Sequence, residues 1–519
     1  MNGFICLHTP GGQFVTEPER ARYVLRAPDG TAARVQWLNE PGISIGVVSD
    51  RVGLCPVVSR RGSLLGVGVA RLDNRAELRG LSGARPGTDV DLLLDVLASQ
   101  GDGCMARVSG DYSVVVWDAT SRRLRATRDP LGGKNLYYAH QGGIIALCSR
   151  SSPLADGDRY DSEFIASYLA AGGSSPNVTV FAGVHAVPAG TMMTWAHGAL
   201  NTARFWNARD FDIDDRLVGD EPCDMFRALF SDAVRLRLGE GNETWAQLSG
   251  GLDSSSIVSM AQSLSATNRS ASALGGTITF ADSLAGAHEL TYSNAVVARH
   301  GVRNETIVDY WPWQDDGIMP PLTDRPVPLY PFYAQTRRMN TVIRRAGGRV
   351  LLSGHGSDFY LTGNLFFFAD LIARGHLWTA CQEMAQWAVQ GRMSFWGVAL
   401  DNAVVPLLPR SVRRYLQRGQ MLVPSWIDDR FARQAGIDRH SVVARQLDAP
   451  AGQQYSGAIA YAMDALGAGT DHEVVSDAVD VRYPFLYRPL VEFALRLPPV
   501  MRTRPHARKW ILREAMRGL

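Results

Sequence analysis

The sequence has no cysteine pattern from which a zinc ribbon or a disulfide framework could be built. Cys6, Cys55, Cys104, Cys148, Cys223 and Cys381 are scattered, with no Cys-x-x-Cys pair among them, and most are expected to act as small buried hydrophobes. There is no excess of charge of one sign either. The 53 Lys+Arg and 51 Asp+Glu residues leave a formal charge of +2, which removes the electrostatic case for a nucleic-acid partner. No uninterrupted apolar stretch approaches the length of a membrane span, and the segment Met1 to His8 lacks the basic start and cleavage region of a secretory signal. A cytoplasmic protein is therefore expected. Internal repeats and low-complexity tracts are also missing. What remains is a 519-residue chain, 46% hydrophobic and 20% charged. That is the balance of a soluble globular protein, and the chain is too long for one ordinary core, so two or more domains are expected.

The most informative stretch runs Leu248, Ser249, Gly250, Gly251, Leu252, Asp253, Ser254, Ser255, Ser256. The apolar run from Thr244 to Leu248 reads as a short strand, and Ile257, Val258, Met260, Ala261 and Leu264 recur at helical spacing after it. A strand thus delivers a glycine-containing loop to a helix N-terminus. There, backbone amides and the helix dipole favour an anion, and Gly250 and Gly251 let the backbone approach it closely. Asp253 makes sense beside phosphates when Mg²⁺ lies between them. An ordinary Ser/Asp helix cap is the other reading of Ser-Gly-Gly taken alone. The loop differs from the Gly-Lys-Ser/Thr loop of γ-phosphoryl transfer.

Two halves separate by pattern. Residues 1–207 alternate short β-type runs (Ile43 to Val48, Leu64 to Val69, Tyr112 to Trp117, Gly143 to Leu147, Thr191 to Trp195) with Gly, Pro, Asp and Arg turns, plus one helix near Asp89 to Ser99. This half is expected to be α+β. The acidic stretch 208–220 is a linker candidate. Residues 221–519 alternate strands near Trp245, Thr277 to Phe280, Thr306 to Val308 and Val350 to Leu352 with helices, and continue into a long helical region from Phe359 to Leu519. The expectation is an α/β domain with a helical annex.

The Ser-Gly-Gly-Leu-Asp-Ser-Ser-Ser string resembles the ATP-pyrophosphatase loop of asparagine synthetase-like enzymes. Val350 to Asp358, a strand running into Ser353, Gly354, His355, Gly356, Ser357 and Asp358, is similar to that family's second phosphate and metal motif. Val479 to Leu486 resembles the segment that shapes its substrate cavity, and Lys509 to Met516 its Lys-x-x-Leu-Arg-x-Ala segment. The resemblance implies ATP and Mg²⁺ as cofactors, with Asp253 and Asp358 sharing the metal. It also implies that Leu248, Ser249, Gly250, Gly251, Ser254, Ser255, Ser353, Gly354 and Gly356 bind ATP and pyrophosphate, and that the substrate is activated as an acyl-adenylate. The N-terminal half resembles the family's glutaminase domain, of the Ntn-hydrolase type, through Leu72 to Arg79, Thr88 to Asp91, Gly110 to Asp118 and Arg128 to Tyr138. The fold it implies is a degenerate glutaminase domain followed by an ATP-pyrophosphatase domain of the adenine nucleotide α-hydrolase type.

The glutaminase catalytic parts do not match. Asn2, ahead of a matching Gly3 and Phe4, stands where the family has its nucleophilic cysteine, and an amide cannot replace a thiolate. Val69, Ala70 and Arg71 replace the Asn-Gly-Glu triplet that binds glutamine. Cys6 is a nearby thiol inside a strand-like run, expected to be structural. Ammonia from glutamine is thus excluded as the expected amine, and the branches that use an amine of the substrate remain. These are lasso-peptide cyclases, which join a core peptide's N-terminal amine to an Asp or Glu side chain, and small-molecule β-lactam or carbapenam synthetases. A lasso cyclase is expected to meet a precursor peptide, a leader-peptide-binding protein and a leader peptidase. Lys509 would stabilise the closure transition state and His355 would be the base, unless His355 only braces its turn. The aromatics Trp311, Trp313, Tyr330, Phe332, Tyr333, Tyr360, Phe366, Phe367, Phe368, Trp378, Trp387, Phe395 and Trp396 could wall a wide peptide chamber, though most are expected to be core. Arg410, Arg413, Arg414 and Arg418 recur on one helical face, expected to be solvated rather than a docking site. A non-catalytic scaffold stays open as a reading of another class.

Overall fold

The computed structural model describes residues 2–27, 30–49, 54–83, 86–169, 177–267, 273–281, 288–308, 333–409, 411–413, 426–435, 449–467 and 479–519. Trp311, Trp313, Tyr330, Phe332, Arg410, Arg414 and Arg418 lie outside the described residues, as does the side chain of Tyr333.

The N-terminal half contains twelve strands among the described residues, β1 (Gly3–His8), β2 (Gln36–Glu40), β3 (Ile43–Val48), β4 (Val57–Arg61), β5 (Leu64–Leu72), β6 (Gly110–Asp118), β7 (Arg123–Arg128), β8 (Tyr137–Gln141), β9 (Ile144–Cys148), β10 (Val184–Ala186), β11 (Thr191–Ala196) and β12 (Ala199–Arg204). They form two antiparallel sheets, ordered β10-β8-β9-β1-β3-β2 and β12-β11-β7-β6-β5-β4. The period-2 geometry of a strand explains their layering. In β1, Phe4 and Cys6 point into the space between the sheets with Leu65, Val67, Val115, Trp117 and Trp195. Ile5 and Leu7 point the other way, against Leu25, Tyr137 and Ala146. With both faces covered, all six residues of β1 are buried. The outer face of the second sheet takes Tyr112, Val114 and Val116 against Leu92, Leu93 and Val96, on the helix Asp89–Gln100. That helix begins at a Thr88–Asp91 capping box.

The stretch predicted as a linker lies on the C-terminal half as a strap. Ala208 is buried there and Phe211 and Ile213 pack against the large C-terminal core. The backbone N–H of Asp214 donates to the Arg496 carbonyl at 2.8 Å, and Arg209 pairs with Asp464 at 2.8 Å. Apolar residues at alternate positions among the acidic ones explain why it adheres.

The C-terminal half holds a five-stranded sheet in which every pairing is parallel. Its strands are β13 (Thr244–Gln247), β14 (Gly276–Ala281), β15 (Asn304–Val308), β16 (Val350–Leu352) and β17 (Asp480–Arg482), in the order β15-β14-β13-β16-β17. The helices Leu252–Thr267, His288–His300 and Tyr333–Arg345 follow β13, β14 and β15. Strand β17 corrects the reading of 359–519 as helical throughout. It has only three residues, two of them charged, and so carries no periodic signal. The order reverses between β13 and β16, and in open α/β sheets ligands bind beyond the carboxyl ends of the strands at such a switch point.

In the annex Tyr360, Phe367, Phe368 and Trp387 are core, whereas Trp378 and Trp396 are exposed. Arg413, expected on a solvated face, is buried and donates to the Pro406 carbonyl. Among the described residues no helix is long and apolar enough to cross a membrane.

Candidate functional site

Strand β13 ends at the switch point, and Leu248, buried, extends it by donating to the Ile278 carbonyl at 2.8 Å. The chain then turns through Gly250, whose φ of 79° is in the left-handed region that suits glycine. Ser254 staples the turn. Its hydroxyl accepts from the Ser249 backbone N–H at 3.1 Å and donates to the Gly251 carbonyl at 3.2 Å. Ser254 thus shapes the loop from below, while Ser249 and Gly251 are on its exposed side. Asp253 stands in the first turn of the helix that follows.

Strand β16 delivers the second loop beside it. The Ser353 N–H donates to the Arg482 carbonyl on β17 at 3.1 Å. Gly354 presses against the first loop: a Cβ there would lie 3.2 Å from the Cβ of Asp253 and 3.4 Å from the Ser254 nitrogen. A larger residue would wedge the loops apart. Ser357 and Asp358 open the short helix Ser357–Tyr360.

Both acidic loops converge on Lys509. Its ammonium donates to Asp253 Oδ2 at 2.5 Å and to Ser357 Oγ at 2.9 Å, and pairs with Asp358 Oδ1 at 2.8 Å. The ammonium end is buried, Asp253 is 21% exposed and Asp358 is 76% exposed, so the trio opens to solvent on the Asp358 side. Burial raises the Asp358 carboxyl, but the hydrogen bond and charge of Lys509, with help from Thr362 and His355, hold it below its ordinary value. Asp253 Oδ1 is buried and accepts no hydrogen bond. A buried carboxylate oxygen left so is costly unless a cation or donor completes it. Among the described residues no group of three or more His, Cys, Asp or Glu could hold a metal alone. A cation that takes one or two carboxylates and leaves its other positions to phosphate and water needs no such group.

His355 is half-buried beside Asp358, its ring edge-on to Phe359 and Tyr483 at 5.6 Å each. Tyr483 belongs to the segment 479–486, which sequence reading placed around the substrate cavity. The structure shows what fixes that segment. Tyr360 donates to the Phe485 carbonyl at 2.6 Å, and the fully buried Arg237 donates to the carbonyls of Tyr483 at 2.8 Å and Leu486 at 3.3 Å. Sequence reading missed Arg237, which stands just past the helix Glu221–Arg235 in no motif, and missed the contact of Ser357 with Lys509.

Arg237 also reaches into the N-terminal half, where Asp73 lies at 3.4 Å and Asp111 at 3.9 Å. Arg71 pairs with Asp73 at 2.9 Å and with Asp111. All four side chains are shielded from solvent. Burial works against each charge, but Arg71 and Arg237 still hold Asp111 below its ordinary value. Arg71 therefore fills its end of β5 with internal ion pairs. Burial pushes the Cys6 thiol far above its usual value, so Cys6 offers no thiolate at neutral pH.

Residues 225–519, more than half of the chain, match the family described as asparagine synthase, and residues 72–206 match the glutamine amidotransferase domain. The chain belongs to the asparagine synthase family. It is similar to asparagine synthetase [glutamine-hydrolyzing] 3 of Bacillus subtilis, 30% identical over 195 residues covering 36% of this chain and 31% of that protein. It is also similar to amidase chyE of Penicillium rubens, 26% identical over 321 residues covering 57% and 46%. To asparagine synthetase [glutamine-hydrolyzing] 1 of Bacillus subtilis it is 22% identical over 460 residues, covering 83% and 69%. The first two matches thus span 31% and 46% of their relatives' lengths. The two matched regions are those of an α+β amidotransferase-type domain followed by a synthetase domain, in keeping with the sandwich and the parallel sheet.

Proposed function

We propose that this protein is an ATP-dependent, AMP-forming amide ligase whose amine comes from its own substrate, and that the substrate is a peptide closed into a macrolactam of the lasso type. The observation that carries the reading is the convergence of Asp253, Asp358 and Lys509 beyond the ends of β13 and β16. Two carboxylates on glycine-containing loops at a switch point, with an ammonium between them, suit a nucleotide polyphosphate. The orphaned Asp253 Oδ1 and the exposed Asp358 fit Mg²⁺, which would offset phosphate charge. Family membership supports ATP-driven amide formation, and the Arg71 ion pairs support the loss of glutamine chemistry.

In this reading a substrate carboxylate oxygen attacks the α-phosphorus of ATP, and pyrophosphate leaves. The amine nitrogen then attacks the acyl carbon, AMP leaves, and the amine's proton passes to His355. Phe359 and Tyr483 fix the imidazole's plane for that transfer. The glycine turn at Gly250 and Gly251 lets the backbone approach the phosphates, and Lys509 balances negative charge as AMP departs. Holding both ends of one peptide together supplies much of the rate. A leader-peptide-binding protein and a leader peptidase would deliver the core peptide.

The test is ATP–pyrophosphate exchange and mass spectrometry with a linear core peptide. Exchange that depends on the peptide's Asp or Glu, with a product lighter by one water, is expected. Exchange with small amino-acid derivatives and not with peptides would replace this reading by a small-molecule lactam synthetase. No exchange with any carboxylate would leave a scaffold. His355→Ala is expected to slow closure about 10²-fold and spare exchange.

A further inference from the structure

Lys509 stands where it is hardest to keep. Its backbone is left-handed, φ 54° and ψ 46°, at the start of the helix Trp510–Ala515. Among the described residues the other non-glycine positions with positive φ are Arg122, His197 and Arg392, all exposed. Lys509 is the buried one. Such a conformation is strained for a residue with a Cβ and persists at sites where the surroundings demand it. The residue type is unusual as well. Lys509 and Lys134 are the two lysines of the whole chain, every other Lys-or-Arg position being arginine. A compact ammonium on a flexible stem can leave a carboxylate pair and turn elsewhere, whereas a planar guanidinium fork fastens to it.

The position of the ammonium gives the reason. It lies 2.5 and 2.8 Å from one oxygen each of Asp253 and Asp358. Mg²⁺ sits about 2.0–2.1 Å from its oxygens, so a divalent ion bridging those two oxygens would need the volume the ammonium fills, and one entering on the unpartnered Asp253 Oδ1 would face the ammonium's like charge. We propose that Lys509 is a resident counter-ion of the phosphate loops, exchanged for the divalent cation only when a pyrophosphate group arrives to receive the displaced ammonium. Lysine and metal then alternate between the same carboxylates, and the cation and the polyphosphate enter as a unit. The exchange also places the ammonium on the phosphates at the moment of loading. Ser357 Oγ, 2.9 Å from Nζ on the second loop, holds the resting position. The inference rests on the ATP-binding reading of this site, but its test uses no acceptor, no amide product and no turnover.

Binding of Mn²⁺ is measured by the paramagnetic resonance of the free ion, with and without pyrophosphate, on wild type, Lys509→Met and Lys509→Asn. Asparagine tolerates the left-handed backbone and serves if the methionine variant does not fold; melting curves report on both. Wild type is expected to take Mn²⁺ weakly alone and at least about tenfold more tightly together with pyrophosphate. Removing the ammonium should invert the pattern: Mn²⁺ alone binds about tenfold more tightly, while Mn²⁺–pyrophosphate binds about tenfold more weakly. Tight binding of Mn²⁺ alone to wild type would overturn the exchange, and so would unchanged or weaker Mn²⁺ binding in a folded variant. If no protein binds Mn²⁺–pyrophosphate at all, the ATP-site reading itself fails, which is distinguishable from a site that binds the pair in wild type without the inversion.

Discussion

The two halves of this molecule each bring acidic and basic side chains to the end of a strand, with opposite results. At the end of β5, Arg71, Asp73, Asp111 and Arg237 neutralise one another out of solvent contact. At the ends of β13 and β16, Asp358 is open to solvent and one oxygen of Asp253 accepts nothing from the protein. Ion pairs closed among themselves have no capacity left for a ligand. A charged group with an unmet partner is what a ligand can complete. The contrast separates a cluster closed on itself from one left open to a ligand, though both lie within one family's sequence pattern.

The sharpest way to break the comparison is at the open site. Asp253→Ala is expected to lower ATP–pyrophosphate exchange by at least about 10³-fold and Asp358→Ala by about 10²- to 10³-fold, with melting temperatures close to wild type. Exchange near normal in either purified variant would remove that carboxylate from the nucleotide site. The closed site should respond in the other currency of the molecule, stability. Arg71→Met leaves Asp73 and Asp111 short of a buried partner and should cost about 3–5 kcal/mol in urea unfolding, with little change in exchange per folded molecule. Its pH dependence has a definite sign. Asp111 is held below its ordinary 3.8 in the folded protein, so the stabilisation is complete above the unfolded value and is lost as pH falls through the folded one. The gap between wild type and Arg71→Met should therefore narrow below about pH 4.

Smaller effects sharpen the same contrast. Asn2→Cys restores a thiol ahead of Gly3, yet no ATP-dependent glutamate release from glutamine is expected, because Arg71 and its partners fill the place of the glutamine-binding triplet. Measurable release would show the domain to be one substitution from activity. At neutral pH iodoacetamide should modify the exposed Cys381 and leave the buried Cys6 untouched, as peptide mapping would read.

Much of this was legible beforehand because period and punctuation carried it. Ile43–Val48 and Val350–Leu352 were readable to the residue, since each is an apolar run ended by turn residues. The two glycine-containing loops after β13 and β16 were legible because their glycines and acids are contiguous in sequence. Strand β17 was not, being three residues defined only by the neighbour it pairs with. Nor was the strap at 208–220, whose acidity hid Phe211 and Ile213. Arg237 was illegible for a deeper reason: its partners, Asp73, Asp111 and Tyr483, lie at least 126 residues away, and nothing local marks an arginine that both halves share. Residue by residue the loops could be named, but the meeting of Lys509 with both carboxylates belongs to the fold.

The shared arginine has a consequence for how such a chain can change over time. Arg237 is held on one side by carbonyls of the synthetase half and on the other by carboxylates of the domain without the glutaminase nucleophile. Deleting that domain would strip a fully buried guanidinium of its counter-charges. Whatever its own chemistry, the amidotransferase-type domain is thereby tied to its neighbour by electrostatics, and a chain without it would need another answer to the charge of Arg237.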